Sequence, residues 1–146
     1  MDKINCILLV DDDPTTNFLN TELIEDLDIC NQIHVVHNGQ EALDFINLEG
    51  SFKKSSRNTY AMPDIIFLDI NMPLMDGFEF LSEFNKSSLA KRGSIVILLL
   101  TTSDAINDKL KSELDTSIYQ FIEKPLREKE LLKLRDEYLK GIRQKP

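Results

Sequence analysis

Asp69 ends the apolar run Ile65-Ile66-Phe67-Leu68 and opens the turn Ile70-Asn71-Met72-Pro73-Leu74-Met75-Asp76-Gly77, which sets a carboxylate at the tip of a buried strand. Three more apolar runs end the same way. Asp11-Asp12-Asp13 follows Ile7-Leu8-Leu9-Val10, Thr101 follows Ile95 to Leu100, and Lys124-Pro125 follows Phe121-Ile122. An aspartyl carboxylate can accept a phosphoryl group to form an acyl phosphate, so Asp69 is a candidate nucleophile. A hard divalent cation such as magnesium takes oxygen ligands and typically one or two carboxylates. Asp12 and Asp69 can supply these, Asp11 can act through water, and the backbone carbonyl of Asn71 can complete the set. Carboxylates crowded this closely repel one another until a cation intervenes. Lys124 offers a compact charge and Thr101 a hydroxyl for phosphate oxygens.

Each residue also has an ordinary structural reading. Asp13 before Pro14 is a good helix N-cap with proline at the first helical position, and for Asp13 that reading is preferred. One cap suffices, so capping does not account for Asp11 and Asp12. Threonine and lysine are common at strand ends and carry weight only together with the aspartates.

The elements that must position these residues follow from patterning. Apolar runs without alternation at Ile4–Val10, Gln32–Val36, Asp64–Leu68, Ser94–Leu100 and Tyr119–Ile122 suit strands covered on both faces of a parallel sheet. Helical spacing lies between them: Leu19, Leu23 and Leu27; Ile106, Leu110 and Leu114; then Leu131, Leu132, Tyr138, Leu139 and Ile142. This alternation predicts an α/β doubly wound parallel sheet of five strands, whose ligands bind at the carboxyl ends of the strands. All four polar clusters occupy those ends.

A chain of 146 residues suits one domain. The 25 acidic and 17 basic residues leave a formal charge of -8, which disfavours direct nucleic-acid binding. The longest apolar runs, about seven residues, fall far short of the roughly 20 needed to cross a bilayer. Met1-Asp2-Lys3 does not read as the start of a secretion signal, and a cytoplasmic protein is expected. Cys6 and Cys30 lack metal or redox spacing and read as buried free thiols, one in a strand and one near a helix end. His34 and His37 read as packing or surface residues away from the site. Residues 49–62 read as an extended polar loop of no consequence, and the tail 143–146 as frayed.

The stretches Leu8-Leu9-Val10-Asp11-Asp12-Asp13-Pro14, Phe67 to Gly77, Leu99-Leu100-Thr101-Thr102-Ser103 and Phe121-Ile122-Glu123-Lys124-Pro125 resemble the receiver domain of two-component response regulators. The resemblance spans residues 3–143. It implies a flavodoxin-like sheet of order 2-1-3-4-5 with five helices and no output domain. It implies a phosphoryl group passed from the phosphohistidine of a sensor histidine kinase or phosphotransfer protein to Asp69, with Mg2+ bound. By the same resemblance Asp12 and Asp69 ligate the metal directly, Asn71 through its backbone carbonyl and Asp11 through water, while Thr101 and Lys124 grip the phosphoryl group. Thr101 and Phe121 would form the switch; Phe121 stands in the family's aromatic position and lacks a hydroxyl. Tyr119, two residues earlier, is expected to point the same way from the sheet. The family's cis Lys-Pro bond is expected at Lys124-Pro125. Two departures are Thr102, where the family often has a small residue, and a longer loop before the third strand.

The chain is thus expected to be a signalling domain that assists its own phosphorylation and dephosphorylation, not a metabolic enzyme. It would signal to an unknown downstream protein or form a phosphorylation-dependent homodimer. One alternative is an aspartyl-phosphate phosphatase of the haloacid dehalogenase type, but that chemistry needs a second aspartate where Asn71 stands. Another is a degenerate receiver that only binds a partner. A flavin-binding relative is disfavoured because residues 11–13 are acidic where a phosphate needs amides.

Overall fold

The computed structural model describes residues 2–87, 95–102 and 118–141. Five parallel strands, β1 (Ile4–Val10), β2 (Cys30–Val36), β3 (Ile65–Asp69), β4 (Val96–Thr101) and β5 (Ile118–Glu123), form one sheet of order β2-β1-β3-β4-β5. The helices described are α1 (Pro14–Leu27), α2 (Gly39–Asn47), α3 (Gly77–Asn85) and α4 (Glu128–Leu139), with a 3-10 turn at Gly50–Phe52. The stripe at Ile106, Leu110 and Leu114, with Ser94, Ser103, Ile142 and the tail, lies outside the described residues. Among the described residues no helix is long and apolar enough to cross a membrane.

The strands are apolar throughout because both faces are covered. Leu8, Val10, Ile66, Leu68, Ile97 and Leu99 pack with Phe45 of α2 and Phe80 and Phe84 of α3. Their neighbours in sequence, Ile7, Leu9, Ile65, Phe67, Val96 and Leu98, turn to the other face against Ile24 of α1 and Leu131 and Leu134 of α4.

Three expectations need correction. The core face of α1 is not the leucine row: its buried residues are Asn17, Asn20 and Ile24, Leu23 and Leu27 are partly buried, and Leu19 is 58% exposed. Residues 17, 20 and 24 share one helical stripe, and Leu19 lies two residues off it. Cys30 lies just past the end of α1, as read, and opens β2 opposite Ile4. Both cysteines are free, and burial pushes the Cys6 thiol up to about 12 and that of Cys30 up to about 11.

Residues 49–62 are not an extended loop of no consequence but a folded strap. The Arg57 guanidinium donates to the carbonyls of Phe45 (3.3 Å) and Ile46, which end α2, and to that of Tyr60 (3.4 Å). Phe52 and Tyr60 pack edge-on against Phe45, and His34 fits between Phe45 and Tyr60, so His34 is a packing residue as read.

Finally, Tyr119 does not share a face with Phe121. The register steps from Ile97 opposite Ile118 to Leu98 opposite Gln120, so Tyr119 is the extra residue of a bulge, which reverses the alternation. Phe121 packs with the α2/α3 face, while Tyr119 packs on the α1/α4 face and donates to Glu137 at 3.0 Å.

Candidate functional site at the strand ends

Strand register brings the polar residues together. Val10 lies opposite Leu68, so the next residues, Asp11 and Asp69, end up side by side. Chain order reverses between these two strands, which opens a cleft at their carboxyl ends. Thr101 pairs with Glu123, and the Lys124 N–H donates to the Thr101 carbonyl at 2.6 Å. Lys124 therefore leaves β5 directly across from the aspartates, through a cis Lys124-Pro125 peptide as the resemblance implied.

The Lys124 ammonium donates to Asp69 Oδ1 at 2.7 Å and to Asp11 Oδ2 at 3.3 Å. Asp11 and Asp69 are buried, whereas Asp12 is exposed at the mouth. One carboxylate oxygen from each of Asp11, Asp12 and Asp69 lies within 4.8 Å of the others. When all three are ionised, one ammonium leaves an excess of two negative charges, and the donors are all hard oxygens. This donor set suits a divalent cation. Burial raises the Asp69 pKa, Asp11 adds to the rise, and the Lys124 hydrogen bond only partly offsets it. Desolvation pulls Lys124 down, but Asp69 and Asp11 together outweigh it and raise its pKa.

The turns on either side are built to hold this arrangement. Asp13 caps α1, accepting from the Thr16 N–H at 3.2 Å and its hydroxyl at 2.5 Å, so its expected capping role stands. The Thr16 hydroxyl chiefly holds the Asp13 carboxyl below its usual range. Beyond β3, the Gly77 N–H donates to the Ile70 carbonyl at 2.8 Å, and a Cβ at Gly77 would come within 2.6 Å of the Asp69 carbonyl. Only glycine lets α3 start this close to the strand tip. Asp76 and Glu79 close a capping box on that helix, and the Gly39 N–H of α2 donates to the Met75 carbonyl at 2.8 Å.

Asn71 lies exposed in the turn after Asp69. Thr101 is buried at the end of β4, with its hydroxyl donating to the Thr102 carbonyl at 3.2 Å. Phe121 is partly buried against the α2/α3 face. Two features went unread in the sequence. Asn17 is buried beneath the acidic turn and donates to the Asp11 carbonyl at 2.8 Å; an asparagine inside a helix that already has its cap was the available signal. Leu74 is 87% exposed at φ 66, in a γ-turn closed by the Met75 N–H and the Pro73 carbonyl at 2.7 Å.

A doubly wound sheet with an aspartate, an acidic pair and a lysine at adjoining strand ends is the framework of an α/β module with a polar, acidic cleft at its carboxyl edge. Residues 7–135 match the response regulator receiver domain, and the chain belongs to that family. It is 32% identical over 114 residues to response regulator Rcp1 of Synechocystis sp., covering 77% of this chain and 73% of that one. The crystal structure of a two component response regulator from Cytophaga hutchinsonii has a TM-score of 0.80 at 29% identity, covering 96% of this chain and 100% of that one. A Mn(2+)-bound form of Rcp1 has a TM-score of 0.69 at 27% identity, covering 94% and 93% of the two chains. The chain is accordingly a receiver domain, a signalling module of two-component systems.

Proposed function

We propose that the protein is a phosphoacceptor that takes the phosphoryl group of a kinase or phosphotransfer-protein phosphohistidine onto Asp69. The observation that carries this reading is the single ammonium of Lys124 shared by Asp69 and Asp11 at the strand ends. A carboxylate oxygen of Asp69 attacks phosphorus, the new O–P bond forms as the P–N bond to the histidine breaks, and the imidazole leaves with its electron pair. Mg2+ is the expected ion, held by Asp12, Asp69 and the Asn71 carbonyl, with Asp11 acting through water; when bound it neutralises the charge gathered on the phosphoryl oxygens. Lys124 binds one of those oxygens. The Thr101 hydroxyl exchanges its bond to the Thr102 carbonyl for another.

The donor approaches over exposed apolar side chains at the rim. Phe18 and Leu19 of α1 and Leu74 of the turn are 61%, 58% and 87% exposed. Leu19, Leu23, Pro125 and Leu126 line a groove of about 280 Å³ that also includes Lys124. Movement of Thr101 gives Phe121 room to turn inward, and the face around β5 then changes its affinity for a downstream protein or a second copy of the chain. Residues 3–143 act as the receiver unit.

The phosphatase alternative lacks its acid, since Asn71 cannot donate a carboxyl proton. The test is intact mass after incubation with acetyl phosphate and Mg2+: the wild type gains one phosphoryl group and Asp69→Asn none. An equal gain on the variant would refute the assignment, and steady release of phosphate from phosphomonoesters would revive the phosphatase.

A further inference from the structure

Asn17 stands in the second turn of α1, where an asparagine competes with the helical backbone and is a poor choice. It is 6% exposed, while Phe18 and Leu19 beside it on the helix face solvent. Its Nδ2 donates to the Asp11 carbonyl at 2.8 Å, and among the described residues its Oδ1 has no hydrogen-bond partner. A buried acceptor left unpaired is costly, and a leucine there would avoid the cost. The bond to the Asp11 carbonyl is thus set against the unpaired Oδ1, and folding alone gains little from the amide.

What the amide holds is the acidic turn. The Asp11 N–H donates to the Val36 carbonyl at 3.1 Å, so with Asn17 the Asp11 peptide groups are held on both sides. Asp11 Oδ1 in turn accepts the Asp13 N–H at 3.0 Å. Asp12, between them, is exposed, and the direction of its side chain is set by this backbone. We infer that Asn17 is a positioning residue that fixes the β1–α1 turn through the Asp11 carbonyl and so aims Asp11 and Asp12 together at a divalent cation; this rests on the cation reading given above.

The test uses the full chain as wild type, Asn17→Leu and Asn17→Ala. Three readings are taken: Mn2+ affinity by titration calorimetry, the urea midpoint, and hydrogen exchange at the Asp13 amide without metal. In both variants Mn2+ affinity is expected to fall about tenfold or more, as for other residues that orient metal ligands. Asp13 exchange is expected to quicken, while the urea midpoint of Asn17→Leu does not fall. Unchanged affinity, or a loss that only follows a lowered midpoint in both variants, overturns the inference. If the wild type binds no Mn2+, the cation reading fails by itself, and an unchanged Asp13 exchange rate then overturns the role of Asn17 separately.

Discussion

At the scale of the residue, the site is a balance between one ammonium and the carboxylates of Asp11 and Asp69, of which burial makes Asp69 reluctant to ionise. Removing Lys124 leaves Asp11 and Asp69 buried without their cation, so Lys124→Ala should lower the unfolding free energy by about 2 kcal/mol. That is less than the roughly 3–5 kcal/mol of a fully buried pair, because the lysine side chain is 25% exposed. Urea denaturation measures this, and added Mg2+ should restore part of the loss; an unchanged midpoint would mean the pair contributes nothing.

The pH dependence follows from the same shifts. Asp69 is raised above 3.8 in the fold, so the folded state holds this proton more tightly than the unfolded chain does. Its contribution to stability is therefore favourable at low pH and is lost as pH rises through the folded value. The cation needs the ionised form, so Mn2+ affinity should decline on acidification, beginning above the pH where an ordinary carboxylate would compete. Lys124 is raised above 10.5, and its stabilising charge is fully present below that value and lost only as pH climbs through the folded pKa. Calorimetric Mn2+ titrations stepped from pH 8 down to pH 4 follow the decline, and an affinity that begins to fall only where a carboxylate of ordinary pKa titrates would contradict the raised Asp69.

At the scale of the element, the strand tips keep their place because turns and helix starts pack tightly against them. Gly77→Ala would push its Cβ into the Asp69 carbonyl, so the variant should lose about 1–3 kcal/mol and bind Mn2+ more weakly. A variant matching wild type in both would show that the strand tip yields freely. Arg57→Ala should uncap the carbonyls that end α2 and make residues 49–62 quicker to cleave in limited proteolysis. Cleavage at the wild-type rate would mean the strap is held by its aromatic residues alone.

These elements were unequally legible in the sequence. β1, β3 and β4 could be read because residues covered on both faces give unbroken apolar runs, and a polar residue ending such a run marks the strand tip. The burial of α1 could not be read from Leu19, Leu23 and Leu27, because the inward stripe is taken by Asn17, Asn20 and Ile24, and Asn17 sits there for a reason that lies in the turn above it. Tyr119 was misplaced because a bulge depends on register with β4, which leaves no trace within β5 itself. The strap at residues 49–62 was missed because its anchor is a long-range contact from a single guanidinium to the end of another helix.

At the scale of the whole molecule, a chain with a formal charge of -8 concentrates three carboxylates and one lysine at one end of its sheet. A cation bound only by the folded state stabilises it by mass action, about 2.7 kcal/mol at one hundred times its Kd. For a chain near this size Mg2+ at that level should raise Tm by about 5–10 °C, and the rise should vanish in Asp12→Ala. A similar rise in the variant would place the ion elsewhere.

The claim on which the rest depends is that Asp69, rather than any carboxylate beside it, takes the phosphoryl group. Borohydride reduction of the acetyl-phosphate-treated protein, followed by tandem mass spectrometry of its peptides, reads the position of the acyl phosphate directly. The reduced residue is expected at Asp69 alone; a label at Asp11, Asp12 or Asp13, or at none of them, would contradict the account.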